Sequence, residues 1–326
     1  MAPDGTDRDL DLNFLRESAR EFLAGRGEKE SLQDLAAMDW TGLLVDEALG
    51  GAGWSPVAAT VVAEEIGRAV DRSAWFGTVL AGAALATAPE DIGRRWLPGL
   101  LDGSVAAGLA VAGDTVRVLN ADRLDLVVTL GTNDIRLYEL SDAVPRSRDD
   151  ELLDVGRPAW RVELGGVDSA SIGDRARAEQ LLAVARVLLS ADSLGATAAC
   201  FDRLVEYLKN RTAFGAPIAS FQAVQHRLVE LLVFEAKARA VVLKAARALS
   251  SPDGAGEDGI ALAAVAHAFV TSKAAPAIDE CMQLSGGIGF TWEYPLHHEL
   301  RRAFTNGHLL GTSRASRTAL AGRLGW

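Results

Sequence analysis

The chain has 326 residues, which suffices for a large core and about one to three domains, and 49% of them are apolar but only 6% aromatic. This composition favours a helix-rich protein. The net charge of −11 argues against binding to nucleic acid or to an anionic membrane surface, since both require basic patches. A small anionic ligand in a local basic pocket remains compatible with it.

The beginning of the sequence lacks an apolar signal core, and no uninterrupted apolar run reaches the roughly 20 residues that a membrane helix needs. We therefore expect a cytoplasmic protein. Cys200 and Cys281 fall in helical patterns and are expected to be small core residues rather than disulfide partners.

Residues 1–108 are predicted to form an N-terminal helical domain. Apolar residues recur at helical spacing from Leu10 to Phe22. A glycine-rich loop at residues 50–53 interrupts the pattern, and Ser55-Pro56 restarts it as the N-cap and first residue of another helix. A further helix is predicted from about Trp75 to Ala88.

Residues 109–172 are predicted to form a reduced middle β domain. Segments 124–130 and 135–140 are rich in β-formers, and the turn signal between them predicts a hairpin. Residues 160–164 alternate between apolar and polar types, which is typical of a half-buried strand.

Residues 173–326 are predicted to form a C-terminal four-helix bundle. The first long helix ends near Asn210, and the second contains Val224 to Leu232. The third covers Ile260 to Leu284, and the fourth covers Pro295 to Leu310. Short links between long amphipathic helices favour an antiparallel bundle, so the predicted fold class is mostly α with a small β domain.

Two segments at predicted helix boundaries combine residue types that suit a ligand with a pyrophosphate and an aromatic base. An arginine fork pairs with pyrophosphate, and apolar faces suit an adenine ring. A glutamine amide bonds to ribose or phosphate, and glycines permit close backbone approach. The candidate cofactor-binding residues are Arg211, Phe214, Ile218, Phe221, Gln283, Gly286 and Gly287. Taken singly, they would equally serve as a helix cap, core residues and a turn.

Residues 211–226 resemble the acyl-CoA dehydrogenase signature R-x-x-F-G-x-P-I-x-x-F-Q, and residues 283–295 resemble its second signature, Q-x-x-G-G-x-G-F. The order and separation of the two segments are also similar. The resemblance implies an acyl-CoA dehydrogenase fold, an acyl-CoA substrate that is desaturated between its α and β carbons, and FAD as the cofactor. It further implies that the seven candidate residues bind the adenosine and pyrophosphate end of an FAD held by a neighbouring subunit.

The catalytic positions depart from this family. Its members place a carboxylate base immediately before a Gly-Thr near the C-terminus, or one long helix before the first signature. Those positions are Leu310 and Ala185 here, and neither side chain accepts a proton. We therefore expect no catalytic residue in this chain. The β region is also much shorter than the family's and lacks its T-E-P-x-x-G-S-D stretch, which argues against a self-contained site for the flavin ring.

Other residues are also functional candidates. His308 is a candidate replacement base, although a solvent-facing residue at a helix end is the simpler interpretation. His297-His298 point to different helix faces and have no third ligand at a suitable spacing, so no metal site is predicted. Glu64-Glu65 continue an amphipathic helix. Arg301-Arg302 stand where the family has an Arg-Asp pair, and they would face a CoA phosphate, a partner subunit or solvent.

The stretch Gly-Gly-Ile-Gly-Phe-Thr-Trp-Glu at residues 286–293, together with Leu-Leu-Gly at residues 309–311 where the family has Leu-Glu-Gly, resembles the non-catalytic subunits of actinobacterial heterotetrameric dehydrogenases of steroid side-chain degradation. This resemblance implies an α2β2 assembly in which a glutamate-bearing partner subunit supplies the base, the flavin ring pocket and the thioester contacts, so that FAD is shared. The shortened β domain would leave space for a polycyclic acyl group. The alternative is a non-redox structural or regulatory homo-oligomer on the same scaffold. A self-sufficient enzyme with another base ranks last.

Overall fold

The N-terminal part of the chain is helical, as predicted. The computed structural model describes residues 5–26, 31–149, 154–250, 257–323 and 325. The first helices are α1 (Gly5–Arg26), α2 (Leu32–Ala36), α3 (Pro56–Arg68), α4 (Trp75–Leu85) and α5 (Glu90–Leu101), and a short antiparallel ribbon pairs β1 (Leu44–Val45) with β2 (Gly53–Trp54). Ser55 caps α3, because its hydroxyl accepts a hydrogen bond from the N–H of Ala58 at 3.2 Å.

The middle of the chain forms two small sheets. Their strands are β3 (Ala107–Val111), β4 (Thr115–Leu119), β5 (Leu126–Leu130), β6 (Asp134–Glu139), β7 (Arg146–Arg148), β8 (Ala159–Glu163) and β9 (Ser169–Asp174). One sheet has the order β3-β5-β6-β9 and the other β4-β8-β7. The predicted hairpin is present as antiparallel β5 and β6, in which Leu130 lies opposite Ile135. Both sheets contribute to a separate small apolar core that includes Val118, Val127 and Val162.

The C-terminal part is a helical bundle. Its helices are α6 (Arg175–Asn210), α7 (Gln222–Leu249), α8 (Glu257–Ser285), α9 (Leu296–Leu309) and α10 (Ser313–Arg323), and a short antiparallel hairpin pairs β10 (Thr212–Ala213) with β11 (Ala216–Pro217). The four predicted helices are present, and the short α10 that packs on α8 was not predicted. The predicted fold class, mostly α with a small β domain, is confirmed.

The central helix α6 packs against α3, α7, α8 and α9. By length and composition alone, α6 and the segment Asp258–Phe290 could each cross a membrane. Most of the apolar window of α6 is nevertheless buried inside the fold, as in the core helix of a globular domain. Cys200 and Cys281 are fully buried and unpaired, as predicted.

Helices α3 and α6 meet backbone to backbone. A Cβ added at Gly195 would lie 1.7 Å from the carbonyl oxygen of Glu64, and one added at Gly67 would lie 1.9 Å from the carbonyl oxygen of Asp192. Glycine is therefore required at both positions, and this contact sets the distance between the N-terminal helices and the bundle.

We expect Gly195→Ala to lower the free energy of unfolding by about 2–3 kcal/mol, because the new methyl group forces α3 and α6 apart. Urea denaturation measures the change. Gly25→Ala is the matched control: its Cβ would meet nothing within 4 Å, so it should stabilise helix α1 by about 0.5 kcal/mol. Equal stability of Gly195→Ala and the native chain would contradict the close crossing.

A buried histidine joins α8 to α10. The side chain of His267 is fully buried, and its Nδ1 lies 2.9 Å from the Oγ of Ser316, which is also buried. Burial, and next the positive charge of Arg186, lower the pKa of His267 to about 4 from the usual 6.5. The folded chain therefore keeps this imidazole neutral at pH values where the unfolded chain protonates it.

The contribution of His267 to stability should be complete above pH 6.5 and should be lost progressively as the pH falls to 4, because only the unfolded chain binds the proton in that range. The loss amounts to at most about 3 kcal/mol. His267→Asn should remove this part of the acid sensitivity, as measured by urea denaturation between pH 7 and pH 4. An identical pH dependence of the two proteins would show that His267 titrates normally.

Candidate functional site

The first signature segment forms a tight hairpin directly after α6. The N–H of Arg211 donates to the carbonyl of Tyr207 at 2.9 Å, and the N–H of Ile218 donates to the carbonyl of Arg211 at 2.8 Å. Phe214 and Gly215 both have positive φ, 51° and 79°, as in a two-residue type I′ turn. A phenylalanine in this region is strained, and its ring is 99% exposed. A strained and exposed ring in an ordered turn indicates a surface that receives another group.

The remaining residues of this segment extend the same surface. The rings of Phe214 and Phe221 meet edge to face with centroids 6.4 Å apart. Ile218 and Phe221 are half-buried, and Arg211 is exposed. The chain therefore presents a guanidinium group beside apolar faces.

The second signature segment ends α8 and provides a glycine turn with free space around it. Gln283 is exposed in the last turn of α8. Gly286 has φ of 69°, and a Cβ added at Gly286 or Gly287 would meet nothing within 4 Å. At Gly289, by contrast, a Cβ would lie 2.3 Å from the carbonyl oxygen of Met282. Internal packing thus requires Gly289, whereas the space beside Gly286 and Gly287 is available to a group from outside.

A pair of tyrosines links the neighbourhoods of the two segments. The ring centroids of Tyr207 and Tyr294 are 6.0 Å apart, and the hydroxyl of Tyr294 donates to the carbonyl of Arg203 at 3.3 Å. Tyr207 lies one helical turn before Arg211, and Tyr294 follows the glycine turn. This link fixes the end of α6 relative to the segment after the glycine turn.

The two positions at which the family carries its base are closed. Leu310 is 2% exposed and Ala185 is fully buried. The two positions lie in one region, because their chain neighbours approach each other. A Cβ added at Gly311, which follows Leu310, would lie 3.8 Å from Nη2 of Arg186, which follows Ala185. The neighbouring cavity, lined by Leu309 and residues of α4 and β3, holds only about 10 Å³. Such a volume is too small for even one water molecule to move freely, so an acyl group does not fit there.

A buried charge cluster lies beside this closed region. The fully buried Arg302 donates through Nε to Asp154 at 2.7 Å and through Nη1 to Asp192 at 3.3 Å. Arg157 donates to Asp192 at 3.4 Å and to the side-chain oxygen of Asn306 at 2.5 Å. Arg302 also donates to the backbone carbonyl of Asp71 at 2.7 Å. The cluster joins the β domain, α6, α9 and the loop after α3.

The pKa values of the two arginines of the cluster shift in opposite directions. Burial opposes the charge of Arg302, but the attraction of Asp154 and Asp192 outweighs it and raises its pKa. For Arg157, burial and the repulsion of Arg302 outweigh the same acids and lower its pKa. Burial favours the protonated form of Asp154, yet Arg302 and Arg157 outweigh it and lower the pKa of that carboxyl. The shifts of Arg302 and Asp154 therefore both favour the ionised forms of these two side chains.

Several of the other candidate residues have structural contacts that account for them. The expectation that Arg302 faces a CoA phosphate, a partner or solvent is wrong, because its side chain is fully buried and ion-paired. Arg301 lies over the ring of Trp292 at 5.3 Å. His308 is exposed and stacks on Phe304 at the end of α9. Glu64-Glu65 are buried and bind arginines of α1 and α7.

Metal ligation finds no support in the described part of the chain, where no group of three or more His, Cys, Asp or Glu side chains is arranged to hold an ion. His297 and His298 are neighbours with ring centroids 4.1 Å apart, and the His297 ring also lies 4.5 Å from that of Trp292.

Comparison with known proteins gives consistent matches. The family model described as acyl-CoA dehydrogenase, C-terminal domain, matches residues 175–325, and the one described as acyl-CoA dehydrogenase, N-terminal domain, matches residues 12–104. Acyl-CoA dehydrogenase IpdE2 of Mycobacterium tuberculosis is 33% identical over 89% of this chain and 85% of its own length. Its namesake from Mycolicibacterium smegmatis is 32% identical over 83% of this chain and 80% of its own length.

Solved structures show the same fold. A variant of the steroid acyl-CoA dehydrogenase Tcur3481-Tcur3483 aligns with a TM-score of 0.83 at 26% identity, covering 97% of this chain and 98% of that chain. A chain of the ChsE4-ChsE5 complex from Mycobacterium tuberculosis aligns with a TM-score of 0.81 at 17% identity, covering 96% and 97%, and this likeness concerns the fold alone.

Replacing Arg302 by methionine should lower the free energy of unfolding by about 3–5 kcal/mol, because Asp154 and Asp192 would remain buried without their main partner. Thermal and urea denaturation measure the loss. Arg94→Met is the matched control, since Arg94 forms an exposed ion pair with Glu90, and it should change stability by less than about 1 kcal/mol. Similar small losses in both variants would contradict the dependence of the fold on the cluster.

Proposed function

Because the chain belongs to the acyl-CoA dehydrogenase family, we propose that it is the subunit without the catalytic glutamate in a hetero-oligomeric, FAD-dependent dehydrogenase. In such an assembly FAD, when bound, would supply the hydride acceptor for oxidation of the acyl-CoA. The base that removes the α-proton comes from the partner subunit, since neither Leu310 nor Ala185 accepts a proton. This chain completes the cofactor site from outside.

The observation that carries the proposal is the retained surface beside a closed interior. Arg211 and Phe214 are exposed, and the space at Gly286 and Gly287 is free. Leu310 and Ala185, however, are buried, and the cavity lined by the neighbouring Leu309 holds only about 10 Å³. A chain that performed the whole reaction would need an open cavity at the catalytic positions. A chain that served only as a scaffold would not need the exposed residues that suit FAD.

Each residue of the surface fits one part of an adenosine diphosphate group. The planar guanidinium of Arg211 suits the pyrophosphate. The apolar faces of Phe214, Ile218 and Phe221 suit the adenine ring. The amide of Gln283 can bond to ribose or phosphate, and Gly286 and Gly287 allow the backbone to come close.

The surface of the bundle also suits a protein partner. Val229, Leu232 and Val233 lie on α7 and are each more than 40% exposed. Phe290 and Trp292, which follow the glycine turn, are 60% and 74% exposed. Exposed apolar groups of this size mark sites of association. We propose a glutamate-bearing acyl-CoA dehydrogenase subunit as the partner, in an α2β2 assembly that shares FAD.

We propose a steroid side-chain CoA thioester as the substrate. The aligned structure at 26% identity, Tcur3481-Tcur3483, is described as a steroid acyl-CoA dehydrogenase, which supports this substrate class. The proposed location is the cytoplasm.

The chain should be colourless when purified alone and should give a yellow complex with one FAD per heterodimer after co-expression with a glutamate-bearing dehydrogenase chain. Arg211→Ala should weaken FAD binding by the complex at least about tenfold, because a charge-assisted hydrogen bond to pyrophosphate is lost. Visible absorbance of the gel-filtered complex measures the flavin content.

Arg175→Ala is the control for this experiment, since Arg175 is exposed and pairs with Glu179 far from the signature segments in sequence. It should leave the flavin content unchanged. A chain that is yellow by itself would have its own complete flavin site, against this proposal. A chain that is colourless and self-associated with or without the dehydrogenase would instead be a non-redox homo-oligomer.

A further inference from the structure

A cleft of about 550 Å³ opens between α1, the end of α3, α6 and α9. None of the seven candidate FAD-binding residues lines it. Its volume lies within the range of about 300–1,000 Å³ that is usual for small-molecule sites.

The charges around the cleft are arranged in two layers. The side chains of Glu65 and Glu299 are only 1% exposed, whereas those of Arg20 and Arg203 are 46% and 39% exposed. Arg20 donates to both oxygens of Glu65 at 2.8 and 2.9 Å, and Arg203 pairs with Glu299. Arg68 pairs with Asp202 at the same opening. The buried Glu65 and Glu299 hold the guanidinium groups of Arg20 and Arg203 in place, so these two groups are preorganised for an anion.

One oxygen of the inner layer has no partner. Oε2 of Glu299 is buried, and the described residues give it no hydrogen-bond donor, although Glu299 lines the cleft. A buried carboxylate oxygen without a donor is costly. A hydroxyl group of a ligand in the cleft would supply that donor.

The backbone at the edge of the cleft is strained. Val70 has φ of 48°, a conformation that is unusual for a β-branched residue. It occupies the position that glycine usually takes after a helix, where the N–H of Asp71 donates to the carbonyl of Ile66 at 3.0 Å. Strained residues of this kind concentrate at ligand sites. Here the turn directs Asp71 and Arg72 to the cleft.

We propose that this cleft binds a phosphorylated ribonucleotide. Its phosphates lie against Arg20, Arg68 and Arg203, and a ribose hydroxyl donates to Oε2 of Glu299. The apolar side chains of Leu23 and Pro295 line the space for the base. Free nucleotides and CoA share this chemistry. The site is independent of the flavin proposal, because it shares no residue with it.

Isothermal titration calorimetry of the purified chain with ADP, CoA and pyrophosphate tests the proposal. ADP, CoA or both should bind, and pyrophosphate should bind at least tenfold more weakly because it lacks ribose and base. Ala24→Trp fills the cleft from an exposed position of α1 without changing a charge and should weaken binding at least tenfold. Arg68→Gln should also weaken it, whereas Arg94→Gln, with the same charge change elsewhere, should not.

The outcomes distinguish a free nucleotide from CoA, and the cleft from the proposed flavin surface. Binding of ADP alone identifies a free nucleotide, binding of CoA alone identifies CoA, and binding of both identifies the adenosine phosphate that they share. Arg175→Ala, at an exposed residue that lines neither site, should leave the affinity unchanged. Loss of binding in Arg211→Ala would place the nucleotide on the flavin surface instead. No binding of either nucleotide, or binding that survives Ala24→Trp or Arg68→Gln, would overturn the proposal.

Discussion

The buried ion cluster of Arg302, Arg157, Asp154 and Asp192 is the constraint on which the arrangement of the domains depends. Each of these ions loses water at a cost of several kcal/mol, which their ion pairs and their hydrogen bonds to Asn306 and to the backbone compensate. The β domain contributes Asp154 and Arg157, α6 contributes Asp192 and α9 contributes Arg302. The helical bundle and the β domain therefore take their relative positions from a contact that tolerates little displacement.

The same cluster also borders the region of the buried positions at which the family carries its base. Arg157 lines the very small cavity beside Leu309, so part of the cluster occupies the edge of the closed region. The family has an acid where Arg302 stands, and the reversal of charge is stable here because Asp154 and Asp192 face it. The outer surface at Arg211 and Gly287 is unaffected by these changes, since it lies on turns at the ends of α6 and α8.

Much of the fold follows from sequence periodicity, and the errors have physical causes. The long helices of the bundle have strong apolar patterns and were located closely, whereas α10 is short and polar. The strands β3, β4, β7 and β9 were not predicted: β7 has only three residues, and β3 is buried on both faces and therefore does not alternate. Phe14 fits the apolar pattern of α1 but is 75% exposed.

The candidate site shows what sequence reasoning can and cannot supply. The two signatures identify the residues of the proposed flavin surface, but not that Phe214 is held in a strained turn. They also do not distinguish Gly289, which packing requires, from Gly287, which has free space beside it. The partners of Arg302 lie 148 and 110 residues away along the chain, so no local pattern indicates that it is buried.

The exposed rings of Phe214, Phe290 and Trp292 have a consequence for the life of the chain in the cell. Apolar groups on a folded surface are what chaperones and proteases use to recognise unassembled subunits, and they promote aggregation when they stay uncovered. If the proposed partner covers these rings, a chain made in excess of it would be removed by quality control. The abundance of this protein would then follow the supply of the proposed partner rather than its own rate of synthesis.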